Sequence, residues 1–364
     1  MRLERALFLS GSLGKGHDVV AEACSAALAR HGVESRTLDS MALLGGGAAA
    51  GDWVFRKLLS VTAVYDAFHF SQLRDDGAVA RAADRAAIDR MQAPLAAELD
   101  RFDPQLVVPV FATGAGAATR LRAAGRPFAT VVVMTDSFAH RMWVHEGTDL
   151  FLVTSAAAGE SVRRYWPEAT VEVVTAPVRP EFHAAPPQAD ARRALGVPAD
   201  ADCVLLMSGA WGLGPLDEAA RALAADGFWV LAVAGTNATM HRRLQRLATA
   251  APSVLPFGYT DRVPELMAAS DVVVTSSGDT CREARVLGKG LVLLDVVPGH
   301  GRENLMHELE LGGATACMPT AGSIARAVRS FLGDSERSKV PAVVEPGVAE
   351  AQFVAAVRSL GLEL

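Results

Sequence analysis

Short runs of Val, Leu and Ile alternate along this chain with longer Ala-, Leu- and Arg-rich stretches of helical period, and that alternation leaves few folds open. Apolar runs of strand length without polar alternation are strands covered on both faces, as when crossover helices join parallel neighbours. Strands are expected at 5–9, 34–38, 106–110, 129–134, 150–153 and 171–174, then at 203–207, 229–233, 253–256, 271–275, 290–294 and 314–318. The fold class is therefore α/β.

Between the two sets lies APVRPEFHAAPPQAD, residues 176–190, whose prolines at 177, 180, 186 and 187 are expected to exclude regular helix and interior strand. It divides the 364 residues into domains at 1–178 and 190–364, the last helix in position to pack back on the first domain. Two Rossmann-like, doubly wound sheets joined by one linker imply a cleft at the carboxyl ends of the strands, where ligands bind. The segment 51–70, GDWVFRKLLSVTAVYDAFHF, has no strand of its own and is an aromatic insertion ahead of a helical stretch at 78–101.

A formal charge of −6 argues against broad attraction to nucleic acid, so no such partner is expected. Cys24, Cys203, Cys281 and Cys317 form no C-x-x-C pair, which indicates neither a zinc site nor a disulfide framework and fits a reducing compartment. No stretch reaches the roughly 18 apolar residues of a membrane span, and the start lacks a signal-peptide pattern. The expected location is cytoplasmic, with any membrane met from the side, at its inner face.

The strand-end loops carry the candidate chemistry. After the first strand, GSLGKGHDVVAEA places Gly11, Gly14 and Gly16 before a helix that starts near His17 or Asp18. Glycines there let a ligand approach the backbone, and the helix N-terminus favours negative charge. For His17 the same dipole favours the neutral ring, the form that accepts a proton. The fourth strand runs into VVVMTDSFAHRMW, with Thr135, Asp136 and His140. Asp136 either orients an acceptor hydroxyl or His17, or is a turn or helix cap. Trp143 and His145 are expected to be partly buried.

In the second half SGAWGLGP begins with Ser208 and Gly209, AGTN ends in Asn237, and FGYT contains Gly258 and Tyr259. SDVVVTSSGDTCREARVLGKG then offers Ser277, Gly278, Thr280 and Glu283. Two readings of this stretch stay open. Glu283 accepts hydrogen bonds from vicinal hydroxyls such as those of a ribose, or T-x-x-E is a capping box. The following strand leads into VPGHGRENL, with Gly299, His300, Gly301 and Asn304.

In order and spacing these loops, over about residues 5–315, resemble the glycosyltransferase family of monogalactosyldiacylglycerol synthases and processive diacylglycerol glucosyltransferases. That family is distantly related to the N-acetylglucosaminyltransferase that makes lipid II. The resemblance implies the two-Rossmann-domain (GT-B) fold, a UDP-sugar co-substrate on the C-terminal domain and a hydroxyl acceptor on the N-terminal one. It also implies inversion in a single displacement, with no metal and no further cofactor. By motif position His17, preceded by Gly16, matches the general base or acceptor-positioning histidine, and Asp136 the acidic residue of the T-D motif. Glu283 matches the ribose-binding glutamate, and Ser277, Gly278 and Thr280 the phosphate and nucleotide loop. Ser208, Gly209, Asn237, Gly258 and Tyr259 match donor-side turns, and Gly299, His300, Gly301 and Asn304 the donor-sugar region.

The chain departs from the family pattern after Pro-Gly. Relatives usually carry Gln-Glu or Gln-Gln there, whereas this chain has His300 and Gly301, so neither galactose nor glucose carries over by analogy. Relatives also have a lysine and a proline where Ser276 and Ser277 stand. The acceptor is a lipid or a natural product. The insertion 51–70 is either an interfacial element of a peripheral membrane contact, through Trp53, Phe55, Arg56, Lys57, Tyr65, Phe68 and Phe70, or a packed helix pair lining the cleft. A UDP-sugar epimerase of the same fold and a non-catalytic nucleotide-sugar-binding relative are the alternative functions.

Overall fold

The computed structural model describes residues 1–11, 16–45, 66–207, 214–334, 340 and 345–364. The chain forms two compact units, one of Met1–Pro177 with Pro298–His300 and Gly347–Leu364, the other of Val178–Val297 with Gly301–Pro346.

The first unit contains a parallel sheet of β1 (Arg5–Ser10), β2 (Glu34–Asp39), β3 (Leu106–Pro109), β4 (Ala129–Val133), β5 (Leu150–Val153) and β6 (Val171–Val173), in the order β2-β1-β3-β4-β5-β6. Successive side chains of a strand point to opposite faces, and here both faces are covered. Ala6 and Phe8 of β1 pack with Val20, Cys24 and Leu28 of the helix Gly16–Ala29, and with Phe353 and Val357 of the last helix, Val348–Ser359. Leu7 and Leu9 pack on the other face with Met91, Leu95 and Leu99 of the helix Ala78–Phe102.

The second unit repeats the plan with β7 (Cys203–Met207), β8 (Trp229–Val233), β9 (Val254–Phe257), β10 (Val272–Ser276), β11 (Gly290–Leu294) and β12 (Ala314–Cys317), ordered β12-β11-β10-β7-β8-β9 and all parallel. Leu206, Val230 and Val274 face the helices Leu216–Ala225, Ala238–Ala250 and Ala321–Leu332. Leu205, Leu231 and Val273 face Leu266 and Met267 of Val263–Ala269, Cys281 and Ala284 of Asp279–Val286, and Ala191 of Gln188–Leu195.

Each strand falls within one residue of its expected ends, and the α/β class with two doubly wound sheets is borne out. The proline-rich stretch, expected to exclude regular helix, is partly helical. Pro180–His183 is helical and Gln188–Leu195 starts inside it. Pro180 opens the first of these turns and Pro187 precedes the second, positions where a missing N–H costs no helical hydrogen bond. All four cysteines are free. No helix among the described residues is long and apolar enough to cross a membrane.

Candidate active site

In the first unit the strand order reverses between β1 and β3, so the loops leaving their carboxyl ends diverge and open room at that edge. His17 stands there, in the first turn of Gly16–Ala29. Its Nδ1 is 2.9 Å from the carbonyl oxygen of Val110 and 3.2 Å from Oγ1 of Thr135. A carbonyl only accepts, so Nδ1 carries the proton and Nε2 of the neutral ring keeps its lone pair. The Phe111 ring packs edge-on to the imidazole, centroids 4.8 Å apart. The glycine at position 11 makes room for that ring, because a Cβ there would collide with Phe111.

Asp136 does not orient His17, nor does it cap a helix. Its Oδ2 accepts a 2.7 Å hydrogen bond from Nε1 of Trp143 and lies 3.5 Å from Nε2 of His140. The reason is Trp143, which is fully buried rather than partly so and needs an acceptor for its indole N–H. His145 is half-buried. Burial of Asp136 opposes ionisation, but the bonds from His140 and Trp143 and the nearby His300 outweigh it and hold the carboxyl well below its usual range.

The His69 ring lies 6.1 Å from that of His140 and 6.2 Å from that of His300. The backbone N–H of Gly299 donates to Oδ1 of Asp66 at 2.6 Å. Burial lowers the affinity of His300 for a proton, and Asp136 only partly restores it. His17, Asp136, His140 and His300 thus share one locality of the first unit.

Asp136→Ala is expected to leave the buried Trp143 N–H unpaired and to cost about 1–3 kcal/mol, read by urea unfolding at pH 7. Because the folded carboxyl is held low, its stabilisation is complete above the unfolded value of about 4 and is lost as pH falls through the lower folded value. The stability gap between the two proteins should therefore close in acid.

In the second unit the order reverses between β7 and β10. Ser208 and Gly209, after β7, lie outside the described residues, as do residues 51–65 of the aromatic insertion and the Gly14 turn. Asn237 is a helix cap, its Oδ1 accepting from the N–H of Met240 at 2.9 Å. Gly258 abuts the His241 ring, whose Nδ1 would be 3.0 Å from a Cβ at that position. Tyr259 beside it is 70% exposed, an open ring face at the end of β9.

After β10 the hydroxyl of Ser277 donates to the carbonyl of Gly301 at 2.6 Å and ties two strand-end loops together. Gly278 is the N-cap of Asp279–Val286, without a side-chain cap bond, so the capping box expected as one reading is absent. The helix begins ahead of Thr280, which places Thr280 and Glu283 too far inside to cap each other. Gly16 and Gly301 sit in first turns, and Asn304 lies in the helix His300–Glu310.

Glu283 is buried and bound by Arg179, whose Nε and Nη2 are 3.0 and 2.8 Å from Oε1. The guanidinium lies 4.8 Å from the Phe182 ring centre. Burial pushes the Glu283 carboxyl up to about 7 against the opposing pull of Arg179. Sequence reading missed Arg179 and Phe111. Each is separated in sequence from its partner, and only the topology of the sheets brings them together.

The fold is that of the two-Rossmann-domain glycosyltransferases. Over 98% of this chain and 99% of the other it superimposes on sucrose-phosphate synthase from Thermosynechococcus elongatus, with a TM-score of 0.62 at 16% identity. It also matches UDP-GlcNAc 2-epimerase from Neisseria meningitidis bound to UDP-GlcNAc, with a TM-score of 0.61 at 12% identity over 98% and 99% of the two chains.

The family resemblance is borne out as well. Residues 17–178 match the model of the monogalactosyldiacylglycerol (MGDG) synthase family. The chain is 30% identical over 239 residues to a processive diacylglycerol beta-glucosyltransferase of Bacillus pumilus, a match spanning 64% of this chain and 60% of that protein.

Proposed function

We propose that this protein is an inverting, metal-independent glycosyltransferase that moves a sugar from a UDP-sugar to the hydroxyl of a diacylglycerol-like lipid. The observation that carries the reading is the fixed tautomer of His17, with Nδ1 bound to Val110 and Nε2 left as a base at the strand-end edge of the first unit. In the proposed reaction the acceptor O–H gives its proton to Nε2, and its oxygen bonds to the anomeric carbon. The bond from that carbon to the diphosphate breaks, and the electron pair leaves with UDP.

The second unit would hold the donor. Glu283 would take the ribose hydroxyls, and the N-terminus of Asp279–Val286 would face the diphosphate. The relatives support the lipid acceptor by their names. The His300 and Gly301 pair leaves the sugar to experiment, and the contact of 51–70 with a membrane surface is part of the same proposal.

UDP release with a panel of UDP-sugars, diacylglycerol vesicles and soluble alcohols is the test. Transfer to the vesicle lipid is the expected result. Isomerised UDP-sugar formed without any acceptor would favour the epimerase instead, and UDP binding with no turnover the non-catalytic relative.

A further inference from the structure

We propose that Arg179 is a positioning residue for the donor site: it holds the Glu283 carboxyl in place with Oε2 directed to the ribose and favours its ionised form, without itself touching the nucleotide. The inference rests on the donor reading above.

The geometry supports it in three ways. Both Arg179 nitrogens converge on a single oxygen, Oε1, so one side of the carboxylate is occupied by the guanidinium. No hydrogen bond from a described residue reaches Oε2, which keeps its lone pairs for ligand donors. The guanidinium is itself braced over the Phe182 ring, and Phe182 is fully buried in the same core as Cys281 and Ala284 of the Glu283 helix. Arg179 immediately precedes the helical turn Pro180–His183 and therefore has a rigid base.

The chemistry requires such a partner. Glu283 is buried, and a buried carboxyl that took up a proton would turn one of its acceptors into a donor, which mismatches two vicinal hydroxyls. The charged groups facing Glu283 are Arg179 and Glu181 from the linker side and Asp279 from its own helix. The strands β10 and β11, packed against that helix, carry no titratable side chain. Arg179 is thus the cation that opposes burial and two neighbouring acids. Removing it should move the titration of Glu283 upward, so that the carboxyl is protonated at neutral pH.

The test has two readouts. In the free protein, the carboxyl ¹³C shift assigned to Glu283 by its loss in Glu283→Gln is followed against pH in wild type, Arg179→Gln and Arg179→Lys. The midpoint should rise by at least one pH unit in Arg179→Gln and by less in Arg179→Lys; an unchanged midpoint overturns the pairing.

Calorimetric binding of UDP is then measured from pH 6 to 9. Wild-type affinity should rise through neutral pH. Arg179→Gln should bind at least tenfold more weakly at pH 7 and recover toward wild type by pH 9, whereas Glu283→Gln should bind weakly at every pH. An equal loss at all pH values in Arg179→Gln would make Arg179 a direct donor contact and overturn its positioning role. If wild type binds no UDP at any pH, the donor reading fails, whatever the carboxyl titration shows.

Discussion

His17→Ala is expected to reduce kcat for sugar transfer by about 10²- to 10⁴-fold, the usual contribution of a positioned general base. The loss should fall on kcat, because in the proposed reaction the imidazole acts on the acceptor proton and the nucleotide contacts lie in the second unit. UDP affinity should be unchanged in the variant. The fold should also survive, since His17 is only half-buried and makes its bond to Val110 from the first turn of a helix held by Val20, Cys24 and Leu28. Turnover measured as UDP release, beside calorimetric UDP binding, separates these quantities. Undiminished turnover would remove the histidine from its role.

Arg192→Met is expected to destabilise the second unit by about 2–4 kcal/mol, because the buried carbonyl of Ala269 loses its donor and the half-buried Asp271 its cation. Arg192 is buried in the helix Gln188–Leu195 and uses its whole guanidinium. Nε donates to the carbonyl of Ala269 at 3.0 Å, Nη1 to that of Ala199 at 2.6 Å, and Nη2 to both oxygens of Asp271 at 2.8 and 2.7 Å.

Asp271 in turn accepts the backbone N–H of Cys203 at 2.8 Å, so the pair pins the starts of β7 and β10 to the linker helix. Methionine fills much of the space but takes the guanidinium from two carbonyls and leaves the Asp271 carboxylate only the N–H of Cys203 and Nε2 of Gln188 as donors. The loss should be visible as a lowered urea midpoint. Arg192→Lys should recover only part of it, because an ammonium cannot reproduce the fork. An unchanged midpoint in Arg192→Met would show that the pair contributes nothing net.

The first of these predictions could be framed from sequence and the second could not. His17 was legible because a glycine-rich turn between an apolar strand and a helix confines a side chain to one place, the helix start at a strand end. Glu283 was legible only as a choice between a ribose ligand and a helix cap. The cap reading turned on whether the helix starts at Thr280 or ahead of it, and helix ends are set by local competition that a pattern of residue types does not resolve. Asp136 was placed at the correct strand end but its bond to Trp143 was not foreseen, because the need of a buried indole N–H for an acceptor depends on which side chains the core encloses.

What the amino-acid order determined by itself was the periodicity: twelve strands at their positions, the α/β class, the linker between two sets of six, and the loops that carry candidate chemistry. Those are properties of contiguous residues, fixed by local propensity and by apolar runs that must be covered on both faces. The tertiary structure alone decided the pairs distant in sequence, Arg179 with Glu283, His17 with Val110 and Arg192 with Asp271. Such pairs form only once crossover connections bring strand ends and helix starts together. The tautomer of His17 and the ionisation of Glu283 are therefore set by topology, not by the motifs that contain them.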